Sequence, residues 1–215
     1  MNTYIREPIN GFTHLAGALL AFAGLLALVI KSSFDGASAI ELTAVIIFGI
    51  SMILLYAASA TYHMVVAKNR VSAFLRRLDH SMIYILIAGT YTPFCLISLK
   101  GVMGWTLFGI ITGLAISGVI FKLVWFYSPR WLSTSIYILM GWLVVFFIAP
   151  ISDVIQSEGV ILLMVGGILY TVGGIIYGLK PKWLTFKHMG FHEIFHIFIL
   201  LGSLAHFLSV FMYVI

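Results

Sequence analysis

Gly-Phe-His-Glu-Ile-Phe-His-Ile-Phe-Ile-Leu-Leu-Gly-Ser-Leu-Ala-His-Phe-Leu-Ser-Val-Phe-Met-Tyr-Val-Ile occupies residues 190–215, with Glu193 its only acid and no Lys or Arg. A bilayer core of about 30 Å needs a helix of roughly 20 apolar residues, and this stretch is long enough to span it. Working outward, six more stretches qualify, at about 11–30, 42–66, 80–99, 102–121, 135–151 and 160–179. They are continuous apolar runs rather than short alternating ones, which argues against a β-barrel. The run nearest the N-terminus is too long for a signal-peptide core and shows no small-residue cleavage site before Lys31. The sequence predicts an all-α integral membrane protein of seven transmembrane helices, with residues 1–215 forming one domain.

Composition agrees. Hydrophobic residues make up 62% of the 215 positions and charged residues only 9%, against roughly a quarter charged in a soluble domain. Mean hydropathy is +1.12. A disulfide scaffold is excluded because Cys95 is the only cysteine. The net charge of +5 is expected to orient loops at a membrane, and no nucleic-acid partner is expected.

Ten of the twelve basic residues fall on one side of the predicted fold: Arg6, Lys68, Arg70, Arg76, Arg77, Lys122, Arg130, Lys180, Lys182 and Lys187. Only Lys31 and Lys100 fall on the other. The positive-inside rule then predicts a short cytoplasmic N-terminal segment, residues 1–10, and a C-terminus on the opposite side. Val71, Phe74, Leu75 and Leu78, with arginines among them, have the spacing of an interfacial helix over about 70–78.

Ionisable groups inside spans are costly and point to function. The second span ends in Ser59-Ala-Thr-Tyr-His63, the third opens with Leu78-Asp79-His80, and the seventh opens with His192-Glu193-Ile194-Phe195-His196. The topology brings His63, Asp79, His192 and His196 to one depth near the cytoplasmic surface. His192 and His196 lie one helical turn apart, so both imidazoles can reach one ion, and Zn²⁺ is the usual occupant. With His63 they make three ligands and leave a fourth position open, as in catalytic zinc sites. Asp79 is expected to hydrogen-bond a water there or act as a base, and Ser59 to position water or substrate.

His192–His196 also fits H-E-x-x-H, the pattern of an intramembrane metalloprotease with Glu193 as base. Such proteases draw a third ligand from downstream, where only His206 is available. It lies ten residues past His196, about 15 Å along the helix, too far for the same ion.

Ser-x-x-x-His in the second span, Leu-Asp opening the third and His-x-x-x-His opening the seventh resemble the haemolysin III-like branch of the progestin and adipoQ receptor family. Asn10-Gly11-Phe12-Thr13-His14 and Gly89-Thr90-Tyr91-Thr92-Pro93 extend the likeness over nearly the whole chain. The resemblance implies seven helices and a zinc near the cytoplasmic face held by His63, His192 and His196, with Asp79 and Ser59 nearby. Relatives do not require an acid at the position of Glu193. The short N-terminal segment resembles the compact bacterial branch, and so implies a multi-pass protein of a bacterial inner membrane.

His14 either lines the same cavity or makes an interfacial hydrogen bond. His80 is expected to pack, His188 to be solvated in its loop, and His206 to hydrogen-bond between helices. Pro93 is expected to kink the third helix. Gly109 with Gly113 and Gly174 with Gly178 suit either intrachain packing or a homodimer face. Trp105, Trp131 and Trp183 suit an interfacial belt. The leading expectation is zinc-assisted hydrolysis of a membrane-lipid amide or ester, which similarity to ceramidase-like hydrolases supports by analogy. The alternative is a non-enzymatic homeostasis or receptor-like protein in which zinc is structural. The haemolysin label implies a pore, but no span carries a polar stripe.

Overall fold

The computed structural model describes residues 4–187 and 189–215. Among them, seven helices are long and apolar enough to cross a membrane: α1 Pro8–Phe34, α2 Ala39–Met64, α3 Asn69–Leu99, α4 Gly101–Val124, α5 Arg130–Ser152, α6 Ser157–Leu179 and α7 Phe191–Tyr213. No strand occurs among the described residues. The chain is therefore a seven-helix, multi-pass membrane protein. His188, expected in a solvated loop, lies outside the described residues.

Short connections force successive helices to run antiparallel. The N-terminal ends of the odd-numbered helices and the C-terminal ends of the even-numbered ones therefore share one end of the bundle, here the site end. α1 packs on α2 and α7, α2 on α3, α3 on α4 and α5, and α6 on α5 and α7. In α3, 72% of the apolar stretch is buried, against 22–44% in the other six, making it the central column. Tyr84, Leu86, Ile87 and Phe94 supply its buried face, while the outward faces of the other helices stay apolar, as lipid requires.

The basic stretch 70–78 is helical, but it is continuous with the third span: α3 begins at Asn69 and runs unbroken through Asp79. It carries Asp79 and His80 into the bundle on a rigid helix. Pro93 has no N–H to give the helical ladder, and a π-helical turn, Phe94–Leu99, follows it. Gly104 of α4 packs against that turn, where a Cβ would come within 2.1 Å of the Cys95 carbonyl oxygen.

Within α5, a 3₁₀ turn at Leu143–Phe147 interrupts the α-helix. Tyr91 of α3 compensates for the break: its hydroxyl donates to the Gly141 carbonyl at 2.6 Å and accepts from the Val144 N–H at 2.7 Å. Backbone groups freed within a bilayer need such partners, which gives the tyrosine of Gly-Thr-Tyr-Thr-Pro a structural task.

The two glycine pairs differ. A Cβ at Gly174 or Gly178 would meet Thr134 of α5, so this pair packs within the chain, whereas Gly109 and Gly113 have nothing within 4 Å. Trp105, Trp131 and Trp183 are all exposed and sit near helix ends.

Candidate metal centre and cavity

Three local features place the central side chains. α2 ends at Met64, just past His63. α7 begins at Phe191, putting His192 and His196 on successive turns. The N-terminal segment then crosses the end of α2, as the Arg6 and Glu7 amides donate to the Met64 and His63 carbonyls at 3.3 and 2.9 Å. His63 and His196 are each 1% exposed.

The structure brings His63, His192 and His196 together: one ring nitrogen from each lies within 4.8 Å of the others, a grouping that could hold a metal ion. The Nε2 atoms of His63 and His192 face each other at 3.3 Å. Two nitrogens bound tetrahedrally at 2.0–2.1 Å are separated by about 3.3–3.4 Å, so that edge already has the size of a metal site.

Glu7 orients the first of these ligands. His63 Nδ1 donates to Glu7 Oε2 at 2.5 Å, which fixes the tautomer and leaves the Nε2 lone pair free to coordinate. The His63 hydrogen bond, aided by the charge of Arg6, lowers the Glu7 pKa from 4.5 to about 2, although burial opposes it. The stabilisation from this contact is therefore present above pH 4.5 and is lost as pH falls towards 2.

Glu193 is turned to a different use from the base of H-E-x-x-H. Its Oε2 accepts from the Gly190 N–H at 2.8 Å, capping α7, and its Oε1 accepts from Asn10 Nδ2 at 2.8 Å. It is a capping acid tied to α1, a structural use of the carboxylate that the H-E-x-x-H spacing does not reveal. His206 is not among the grouped ligands.

Asp79 and Ser59 line a cavity of about 120 Å³ together with His14, His192 and His196. Neither makes a hydrogen bond to the three histidines among the described residues; they share the cavity lining with His192 and His196. Asp79 Oδ2 lies 3.6 Å from His80 Nδ1. His80 Nδ1 donates to the Arg76 carbonyl at 2.8 Å, so Nε2 accepts from the Tyr177 hydroxyl at 3.0 Å and braces α3 against α6. His14 lines the cavity, its ring stacked on that of His196 at 3.6 Å between centroids, and neither of its nitrogens has a hydrogen-bond partner.

The cavity lies mainly among α3, α5, α6 and α7 and extends along α3 from Asp79 to Tyr91, about 18 Å by helical rise. Its deeper wall is apolar, with Ile83, Ile87, Ile138 and Ile199 prominent. One end therefore offers imidazole and carboxylate, and the rest of the lining is mostly apolar.

The haemolysin-III-related family profile matches residues 2–207. The chain belongs to that family. It is 42% identical to Hemolysin-3 of Bacillus cereus over 219 aligned positions, covering 100% of this chain and 95% of that protein. It is likewise 41% identical to the Hemolysin-3 homolog of Bacillus subtilis (strain 168) over 216 positions, covering 99% of this chain and 96% of the relative.

In this haemolysin-III-related protein, sequence reasoning assigned Lys122 to a loop. The structure buries it in α4, where its ammonium donates to Ser128 Oγ at 3.1 Å and to Ser133 Oγ, fastening the α4–α5 connection. Glu7 was missed as well. Its signal was an acid beside Pro8, at the depth where His63 needs an Nδ1 partner.

Proposed function

We propose that His63, His192 and His196 hold zinc and that the protein hydrolyses an amide or ester of a membrane lipid, acting in lipid homeostasis. The observation that carries this reading is the three-imidazole group at the head of an apolar cavity whose wall also holds a carboxylate. Zinc bound there would supply Lewis acidity and an acidified water. The chain's own residues do the rest. Asp79 takes the proton of the attacking water, Ser59 orients water or carbonyl, Glu7 holds the His63 ring, and the cavity seats an acyl chain while keeping out bulk water.

Replacing Glu7 with glutamine is expected to weaken zinc binding by about 10–100-fold, the usual cost of losing an outer partner of a ligand histidine. Competition with a zinc chelator of known affinity measures it. Unchanged affinity would remove Glu7 from the account.

The site end is proposed to face the cytoplasm, in keeping with the ten basic residues there, and the membrane to be a bacterial inner membrane. Single cysteines near Arg76 and Lys182 should then react with an impermeant thiol reagent only from the cytoplasm, and one near Gly36 only from outside. The reverse pattern would invert the fold in the membrane.

Hydrolysis is tested by incubating purified protein with a lipid panel and following free fatty acid by mass spectrometry. Release that requires intact protein supports the reading. No release from any lipid would favour a zinc that only joins α2 to α7.

A further inference from the structure

His206 stands apart in the deep half of the cavity wall. The polar side chains around it are committed: Tyr91 to the α5 backbone, the Trp142 indole N–H to Thr171 Oγ1 at 2.8 Å, Thr171 to the Gly167 carbonyl, and Tyr170 to Ser203 Oγ at 2.7 Å. His206 is 6% exposed, and neither ring nitrogen has a hydrogen-bond partner. The interhelical hydrogen bond expected of it from the sequence is absent among the described residues.

Its position is fixed by packing. The ring lies against Gly166, where a Cβ would fall 1.7 Å from Cδ2 and 2.0 Å from Nε2, and within 5.1 Å of the Tyr170 ring centroid. His206 also lines a second, smaller cavity that shares Tyr91, Gly141, Trp142 and Gly167 with the first and continues to Phe94 and Leu163. It therefore stands where the two spaces meet. A neutral imidazole carries one donor and one acceptor, and leaving both unused in an apolar interior is costly. Both nitrogens are covered by neighbouring protein atoms, Nε2 by Gly166, so an occupant of the cavity satisfies one of them only when the ring turns to present it.

We propose that His206 is a hydrogen-bond anchor for an oxygen part-way along the tail of the bound lipid, so that the preferred ligand class is a hydroxylated or keto-substituted acyl chain. This rests on the reading of the cavity as an acyl-chain site. His206 is ten residues beyond His196 on α7, about 15 Å by helical rise, which puts the oxygen near the middle of a long chain whose carboxyl end lies at the histidine group.

The test uses the full chain in lipid nanodiscs and three probes: stearate, a hydroxystearate substituted at mid-chain, and one substituted beside the carboxyl. The parent should bind the mid-chain isomer about tenfold more tightly than stearate, the worth of one neutral hydrogen bond, and the other isomer no better than stearate. H206L should bind stearate as before, showing that the cavity persists, and should lose the preference. H206N, which keeps both hydrogen-bonding functions, should retain part of it. Equal binding of stearate and the mid-chain isomer by the parent would overturn the proposal and make water the occupant. A preference that survives in H206L would overturn it too. Failure of stearate itself to bind would remove the acyl-chain reading, and this inference with it.

Discussion

Zinc content is expected to fall from about one ion per chain to near none when His63 is replaced by alanine, a stoichiometry that follows from one three-histidine site. His63 belongs to α2 and the other two histidines to α7, so the substitution leaves only an i, i+4 pair on one helix. Its cost should exceed the 10–100-fold typical of losing an outer partner. His192→Ala and His196→Ala should behave alike. His206→Leu should keep its zinc, because His206 lies outside the ligand group. Thermal stability should fall with occupancy, since an ion bound only by the folded chain stabilises it by mass action. Elemental analysis reads the first effect and a melting curve the second. Full zinc retention in His63→Ala would mean that α2 supplies no ligand, and would return the ion to a site built on α7 alone.

Lipid turnover is expected to fall by roughly 10²–10⁴-fold in Asp79→Asn, the contribution of a positioned general base. Asparagine has nearly the shape of aspartate and can still hydrogen-bond, but it is a far weaker proton acceptor. Zinc should largely remain, because all three imidazoles are intact. This separates the base from a ligand, whose loss removes both metal and turnover. It also separates catalysis from a structural zinc. If the ion only joins α2 to α7, Asp79→Asn can affect stability, but the parent releases no fatty acid for it to reduce. Product formation under saturating lipid decides, with zinc content measured on the same samples. Turnover in Asp79→Asn equal to the parent would remove Asp79 from the proton transfer.

Much of this arrangement was legible in the residues because membranes restrict the alternatives. Seven apolar runs joined by short connections leave little choice but an antiparallel bundle, and the depth of His63, Asp79, His192 and His196 follows from counting along it. What stayed hidden depends on direction rather than depth. The pattern Val71, Phe74, Leu75 and Leu78 has the same period whether the helix lies along a leaflet or continues into α3, so the absence of a bend before Asp79 could not be read from it. Lys122 directly follows the fourth apolar run, where a cation implies a connecting loop, yet Ser128 and Ser133 fold back to receive it. Glu193 sits in a metalloprotease pattern, but the open N-terminus of α7 claims its carboxylate. Glu7 lies just before the first span, where an acid ordinarily implies solvent, and only the crossing of the N-terminal segment over α2 brings it to His63.

The account stands most directly on metal-dependent cleavage. Purified protein is stripped of zinc, assayed on the lipid that the parent cleaves, then given back one equivalent of zinc and assayed again. Cleavage is expected to vanish on stripping and to return with the metal in the parent, and not to return in His63→Ala. Fatty-acid release that is the same before stripping, after it and after reloading would contradict the account, because it would place the chemistry away from the three histidines.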